Sequence, residues 1–174
     1  YRPVRLLQVD PSGVERVFEP EPAWLIADIL SDNSARSASF GWGSSLFFPF
    51  RVACKTGTSS EFRDNWAIGF TPEFTVGVWV GNFDGSPMQR VSGVSGAAPV
   101  MNSLMMELHR RFGTGWFKRP EDIESAVIDP ISGLKHPAGK AEWFIAGSIP
   151  PKETTETRDM DDRLFLPQEF TMWW

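Results

Sequence analysis

The stretch of this sequence with the most chemical potential is VACKTGTSS, Val52–Ser60. A lysine, two threonines and a glycine stand at the end of what reads as a β-strand spanning 51–58. At a sheet edge such a strand offers unpaired backbone groups to an extended peptide, and Gly57 removes the side chain that would block its approach. Lys55 adds a cation for a ligand carboxylate and for proton transfer, and the hydroxyls of Thr56 and Thr58 can donate to the same carboxylate. The other reactive residues read as structural. Cys54 alternates to the strand face opposite Lys55 and reads as a small buried thiol. Arg63 and Asp64 read as holding the turn between strands, and Asp84 and Asp129 precede Gly and Pro as turn residues do. One cysteine and two distant histidines, His109 and His136, supply no zinc set, and no cofactor or metal is expected.

The elements that must position this motif follow from the patterning. Residues 4–9 and 14–18 read as two strands around the turn Asp10–Gly13. From Pro22 to Asp32, Trp24, Leu25, Ile26 and Ile29 fall close to helical spacing, and the helix is expected to pack on a sheet. Residues 34–49 are rich in Ser and Gly and read as a loop; its Phe40, Trp42, Phe47 and Phe48 are costly to leave fully exposed. Residues 65–70 and 74–81 alternate strictly around Thr71–Glu73 and predict a hairpin, giving three consecutive antiparallel strands with 51–58. Trp66, Ile68 and Phe70 are assigned to its apolar face and Trp79 to the other side. After a turn-rich segment, Pro99 opens a helix whose Met101, Leu104, Met105, Leu108 and Phe112 form one stripe. Its last turn carries His109, Arg110 and Arg111, and Gly113 stops it.

Composition sets the outer limits. A chain of 174 residues, 41% hydrophobic and 22% charged, can bury one real core. A net charge of −5 and a pI near 5.1 argue against a nucleic-acid surface. No apolar run is long enough to span a bilayer. The start at Tyr1 is read as a processed product or an internal fragment, and 114–174, where Pro and Gly recur, as an appendage of short extended segments. Trp173 and Trp174 have no assigned role.

The motif has a wider context. Lys-Thr-Gly is one of three active-site elements of serine β-lactamases and penicillin-binding proteins, the others being Ser-x-x-Lys and Ser-Asp-Asn. With KTGTS, the segments RDNWAIGF (63–70), TVGVWVGN (75–82), GVSGAAP (93–99) and EWFIAGS (142–148) resemble the carboxyl-terminal half of class A bifunctional penicillin-binding proteins, the 1C type most of all. YRPVRLL at the start resembles the segment that follows the other two motifs, so the likeness covers almost the whole chain. It implies an α+β fold: an antiparallel sheet with packed helices, part of the serine transpeptidase (β-lactamase-like) domain. Residues 1–113 would be the end of that domain, supplying three of five strands and the terminal helix, and 114–174 a carboxyl-terminal extension.

The resemblance also implies a function: a fragment of a peptidoglycan DD-transpeptidase that cross-links stem peptides through an acyl-serine. Lys55 would be the catalytic electrostatic and proton-network residue. Thr56, Gly57 and Thr58 would bind substrate, with the Thr58 amide an oxyanion donor. The expected partners are stem peptides, β-lactams and the upstream transpeptidase segment. The parent would be anchored at the periplasmic side of the cytoplasmic membrane and carry a glycosyltransferase domain. Ser132-Gly133-Leu134-Lys135 matches the nucleophile element literally, but lies between Pro130 and Pro137 with an internal glycine, not at the start of a helix preceding the Lys-Thr-Gly strand. Ser31-Asp32-Asn33 lies too close to Lys55, and Asn33 is read as a helix C-cap. The serine is therefore expected outside this chain, which alone would be inactive. The competing reading is a non-catalytic penicillin-binding-protein-like binding or structural module.

Overall fold

The computed structural model describes residues 16–154, 160–161 and 163–165. The strand expected at 4–9 lies outside them, as do Trp173 and Trp174; of the strand expected at 14–18, the described part, 16–18, has no regular structure.

Helix α1 spans Pro20–Ser31, with prolines tolerated in the first turn, where backbone N–H groups lack intrahelical partners. It buries Trp24, Ala27 and Ser31. Ile26 and Ile29, expected on the packed side, are more than half exposed. The helix packs against strand β1, Ala53–Thr58, as expected, and small Ala27 with Trp24 suits that approach better than a branched pair.

The region read as a loop contains a second helix, α2, Asn33–Phe40. Its sequence, NSARSASF, has no apolar stripe to betray it. What starts it is Asp32, whose carboxylate accepts from the Ser34 and Ala35 amides at 2.8 and 3.1 Å. Asn33 is thus the first residue of α2, not the cap of α1. The connection to β1 buries Leu46 and Phe48 almost completely, whereas Trp42 remains 61% exposed.

Strands β1, β2 (Asp64–Phe70) and β3 (Thr75–Gly81) form an antiparallel sheet in that order, with β1 at one edge. Helix α3, Ala97–Phe112, covers one face. Between them lies the core: Leu46, Phe48, Val52, Cys54, Ala67, Ala97, Ala98, Met101 and Met105. Gly69 makes this contact possible, because a Cβ there would stand 2.9 Å from the Met101 sulfur. The buried line of α3 is Ala97, Met101, Met105 and His109; Met101 and Met105 of the expected stripe are buried, whereas Leu104 and Phe112 are half exposed. Spacing by four lets small and flexible residues meet the flat sheet; the Leu104–Leu108–Phe112 line lies beside it and borders a cleft with Phe74.

On β2 the alternation is the reverse of expectation, whereas on β3 Val76, Val78 and Val80 pack against the core. Asn65 and Ala67 are completely buried against α3, while Trp66 and Ile68 are nearly half exposed on the opposite face. Trp66 pairs directly with Trp79, so both project to the same side. Bulky residues dominate the face opposite α3, which α1 covers at its Ala53–Phe70 end and leaves open around Trp66 and Ile68, and small ones the face under α3, because the helix backbone must come close.

Beyond α3, β4 (Ile123–Ile128) and β5 (Lys140–Ile145) form a two-stranded antiparallel sheet. It leans on α1: Trp24 donates to the Phe117 carbonyl at 3.3 Å and meets Trp143 edge-on at 5.8 Å.

Candidate functional site

Strand β1 is anchored at one end and free at the other. Val52, Ala53 and Cys54 are buried, whereas Lys55, Gly57 and Thr58 are exposed. The register pairs Lys55 with Ile68 and Gly57 with Trp66, so Lys55 and Gly57 share the uncovered face. Thr56 and Thr58 point to the helix side.

The ladder fixes the backbone directions. Ser59 donates to the Asp64 carbonyl at 2.9 Å, so by alternation Gly57 and Lys55 turn their N–H and C=O groups toward β2. Thr56 and Thr58 therefore turn theirs outward, to an edge that no described strand covers. The Lys55 ammonium reaches the same edge and donates to the Thr56 carbonyl at 2.5 Å. A Cβ added to Gly57 would meet only Trp66 Cβ, at 4.0 Å. Cation, outward amides and an unobstructed backbone are thus gathered along one edge.

Two residues outside the motif hold this edge in place. The Gly93 amide donates to Thr58 Oγ1 at 3.0 Å, which fixes the hydroxyl as acceptor and leaves its proton free to donate. Only glycine fits there: a Cβ on Gly93 would stand 2.8–2.9 Å from Trp66 O, Gly57 O and Thr56 Cβ. Asn65 is the second. Its Oδ1 accepts from the Ala97 amide at 3.1 Å and its Nδ2 donates to the Val91 carbonyl at 3.2 Å. It caps α3 from a neighbouring strand, since Gly96 has no side chain for the task. Sequence reasoning missed both roles; the available signal was an amide side chain amid apolar alternation, followed by a Gly-x-x-Gly segment before a helix.

The residues read as structural behave so. Arg63 pairs with Glu61 at 2.6 Å, and Asp64 accepts from Trp79 Nε1 at 2.9 Å. Asp84 accepts from the Ser86 amide, which holds its carboxyl below the usual range, and Asp129 from the Ile131 and Ser132 amides. Burial pushes the Cys54 thiol up, against the opposing Arg36 charge, so it is a poor nucleophile. Ser132 lies in a turn and contacts the Glu153 carboxylate at 2.5 Å. Asp32 caps α2. Neither look-alike motif therefore joins Lys55. Among the described residues no group of three His, Cys, Asp or Glu side chains could hold a metal ion, and no helix is long and apolar enough to cross a membrane.

Comparison with known proteins supplies a second line. No family model matches the chain. Penicillin-binding protein 1C of Escherichia coli strain K12 is 31% identical over 156 residues, covering 85% of this chain and 20% of that protein. Penicillin-binding protein 1A of Clostridium botulinum strain Langeland is 31% identical over 157 residues, covering 84% and 18%. The crystal structure of penicillin-binding protein 1A from Haemophilus influenzae aligns with a TM-score of 0.65 and 25% identity, over 79% of this chain and 22% of that one. The chain spans about a fifth of the length of the curated relatives it matches. The 1A and 1C matches are of similar quality, so the likeness reaches the family without selecting the 1C type.

Proposed function

We infer that this chain, a member of the penicillin-binding protein family by homology, is the carboxyl-terminal part of a peptidoglycan DD-transpeptidase, with residues 1–113 ending the catalytic domain and 114–174 forming an extension. The observation that carries the reading is the open β1 edge, where Lys55 and the outward backbone of Thr56 and Thr58 meet beside an unobstructed Gly57.

In the proposed reaction a serine upstream of this chain attacks the penultimate D-alanine carbonyl of a stem peptide, expelling the terminal D-alanine and forming an acyl-enzyme. The amine of a second stem peptide then resolves the ester. The donor peptide lies along β1 as an added strand. Lys55 neutralises its terminal carboxylate and supports proton transfer to and from the serine. The Thr58 hydroxyl, already accepting from Gly93, donates its proton to that carboxylate, and Thr56 gives a second donor. The outward Thr58 amide is one donor to the oxyanion of the tetrahedral intermediate. β-Lactams would enter by the same edge and acylate the same serine.

The uncovered sheet face, with Trp66 and Ile68 nearly half exposed, is the surface on which the upstream transpeptidase segment would pack. The parent would add a glycosyltransferase domain and a membrane anchor and work at the periplasmic face of the cytoplasmic membrane. Within the family we favour the 1C type, on the combined likeness of KTGTS and the segments at 63–70, 75–82, 93–99 and 142–148 to that type.

Fluorescent penicillin provides the test. The 174-residue chain should remain unlabelled, and a longer chain including the upstream transpeptidase segment should be labelled once. Labelling of the 174-residue chain mapped to Ser132, or a longer folded chain that resists penicillin, would overturn the reading and favour a binding module.

A further inference from the structure

The β4–β5 sheet carries a cleft that the transpeptidase reading does not use. It measures about 390 Å³ and is bordered by Ser125 and Val127 of β4, by Pro137 and Ile149, and by Lys135 and Lys152. The two lysines are backbone neighbours in a parallel bridge: the Lys135 amide donates to the Pro151 carbonyl at 2.9 Å, and the Glu153 amide donates to the Lys135 carbonyl at 3.1 Å. Bridge partners project to the same side, so both lysine side chains leave the backbone toward one side of the cleft and bring two like charges to it. Neither ammonium makes a hydrogen bond or ion pair with a described residue. The neighbouring Glu153 carboxylate is buried and engaged with the Ser132 hydroxyl at 2.5 Å and with His136 Nε2 at 3.7 Å.

The same cleft exposes a strand edge. The Ala146 amide donates to the Asp122 carbonyl, so residues 122, 124, 126 and 128 face β5, and 123, 125 and 127 face away. The His136 amide takes the Val127 carbonyl at 3.1 Å. Beyond that bond the edge is open at Ser125, whose outward amide and carbonyl have no partner among the described residues. An unpaired edge beside two uncompensated cations, over an apolar floor, matches one ligand class.

We propose that this cleft binds a short extended peptide with a free terminal carboxylate and small side chains. The peptide adds to the β4 edge by pairing with Ser125, rests its side chains on Val127, Pro137 and Ile149, and places its carboxylate between Lys135 and Lys152. A single stretch from Ser125 to Val127 spans about 7 Å at roughly 3.3 Å per residue, enough for two or three ligand residues. This assignment stands apart from the β1 edge and does not depend on the catalytic reading.

The probe is N-acetyl-Ala-Ala-Ala titrated at millimolar concentration into the isotope-labelled 174-residue chain, followed by amide shifts in two-dimensional NMR. The expected result is saturable shifts at 123–127 and 135–137, with roughly tenfold weaker binding for the C-terminal amide of the same peptide, the loss of one charge-assisted contact. The double variant Lys135→Gln, Lys152→Gln should lose the preference for the free acid, while Lys135→Arg, Lys152→Arg should keep it. The acid-versus-amide comparison needs no variant, so it decides even if the glutamine protein misfolds. Equal binding of acid and amide, displacement of the peptide by acetate at equal concentration, shifts centred on β1, or no shift at all would each overturn the proposal.

Discussion

The two faces of the β1–β3 sheet differ in kind. The face under α3 is built from small or flexible residues, with Asn65, Ala67, Met101 and Met105 all completely buried. The opposite face carries Lys55, Gly57, Trp66, Ile68 and Trp79, and no described helix covers its outer half. The closed face therefore holds the stability of the unit, and the proposed recognition lies on the open face with its β1 edge. Substitutions on the two should separate stability from activity.

The largest expected effect is catalytic. In a longer chain that acylates, Lys55→Ala should slow acylation by β-lactam roughly 10²–10⁴-fold, the usual range for removing a positioned acid–base group. Its melting temperature should hardly move, because exposed substitutions stay within about 0.5 kcal/mol. Stopped-flow acylation beside calorimetry checks both halves; normal acylation by a well-folded variant would reduce VACKTGTSS to an ordinary strand.

On the closed face the pattern should invert. Met101→Ala opens a cavity between α3 and Gly69 and should cost about 2–5 kcal/mol by denaturant titration. The chemistry of the molecules that remain folded should persist. A smaller loss follows for Asn65→Ala. It strands the buried Ala97 amide and the Val91 carbonyl, a desolvation cost of about 1–3 kcal/mol. Hydrogen exchange should rise first at the start of α3 and in the 91–97 loop. Exchange unchanged there would remove Asn65 from its capping role.

The smallest effect concerns the exposed side of α3. Glu107 is held down to about 2 by hydrogen bonds from Arg110 and Arg111, against an ordinary 4.5. A depressed carboxylate contributes stability above its unfolded value, and that contribution is lost as pH falls from 4.5 toward 2. The pairs are exposed, so the shift should be slight and should shrink further in salt. Glu107→Gln should flatten that part of the acid stability profile.

Much of this arrangement was legible before the structure. Strict alternation at 65–81 and the Lys-Thr-Gly signature gave the hairpin and the edge strand, because period-two patterning and a glycine at the approach point are local facts. Face assignment was not legible. Trp66 reads as core by hydrophobicity, yet Gly69 and Ala67 face α3, since close packing of a helix on a sheet selects small residues over large ones. Helix α2 was hidden for a related reason: it buries no residue, and only the Asp32 cap marks its start.

By itself, then, the sequence determined the order of the three strands, the long helix after Gly96 and the chemistry offered by Lys55, Thr56, Gly57 and Thr58. Those features rest on residue type and on spacing within one element. Tertiary structure alone decided which sheet face is covered, that Asn65 caps α3 and Gly93 seats Thr58, and that Lys135 stands beside Lys152. Each of these depends on contacts between residues at least 17 positions apart in sequence, and no periodicity within one segment encodes such a meeting.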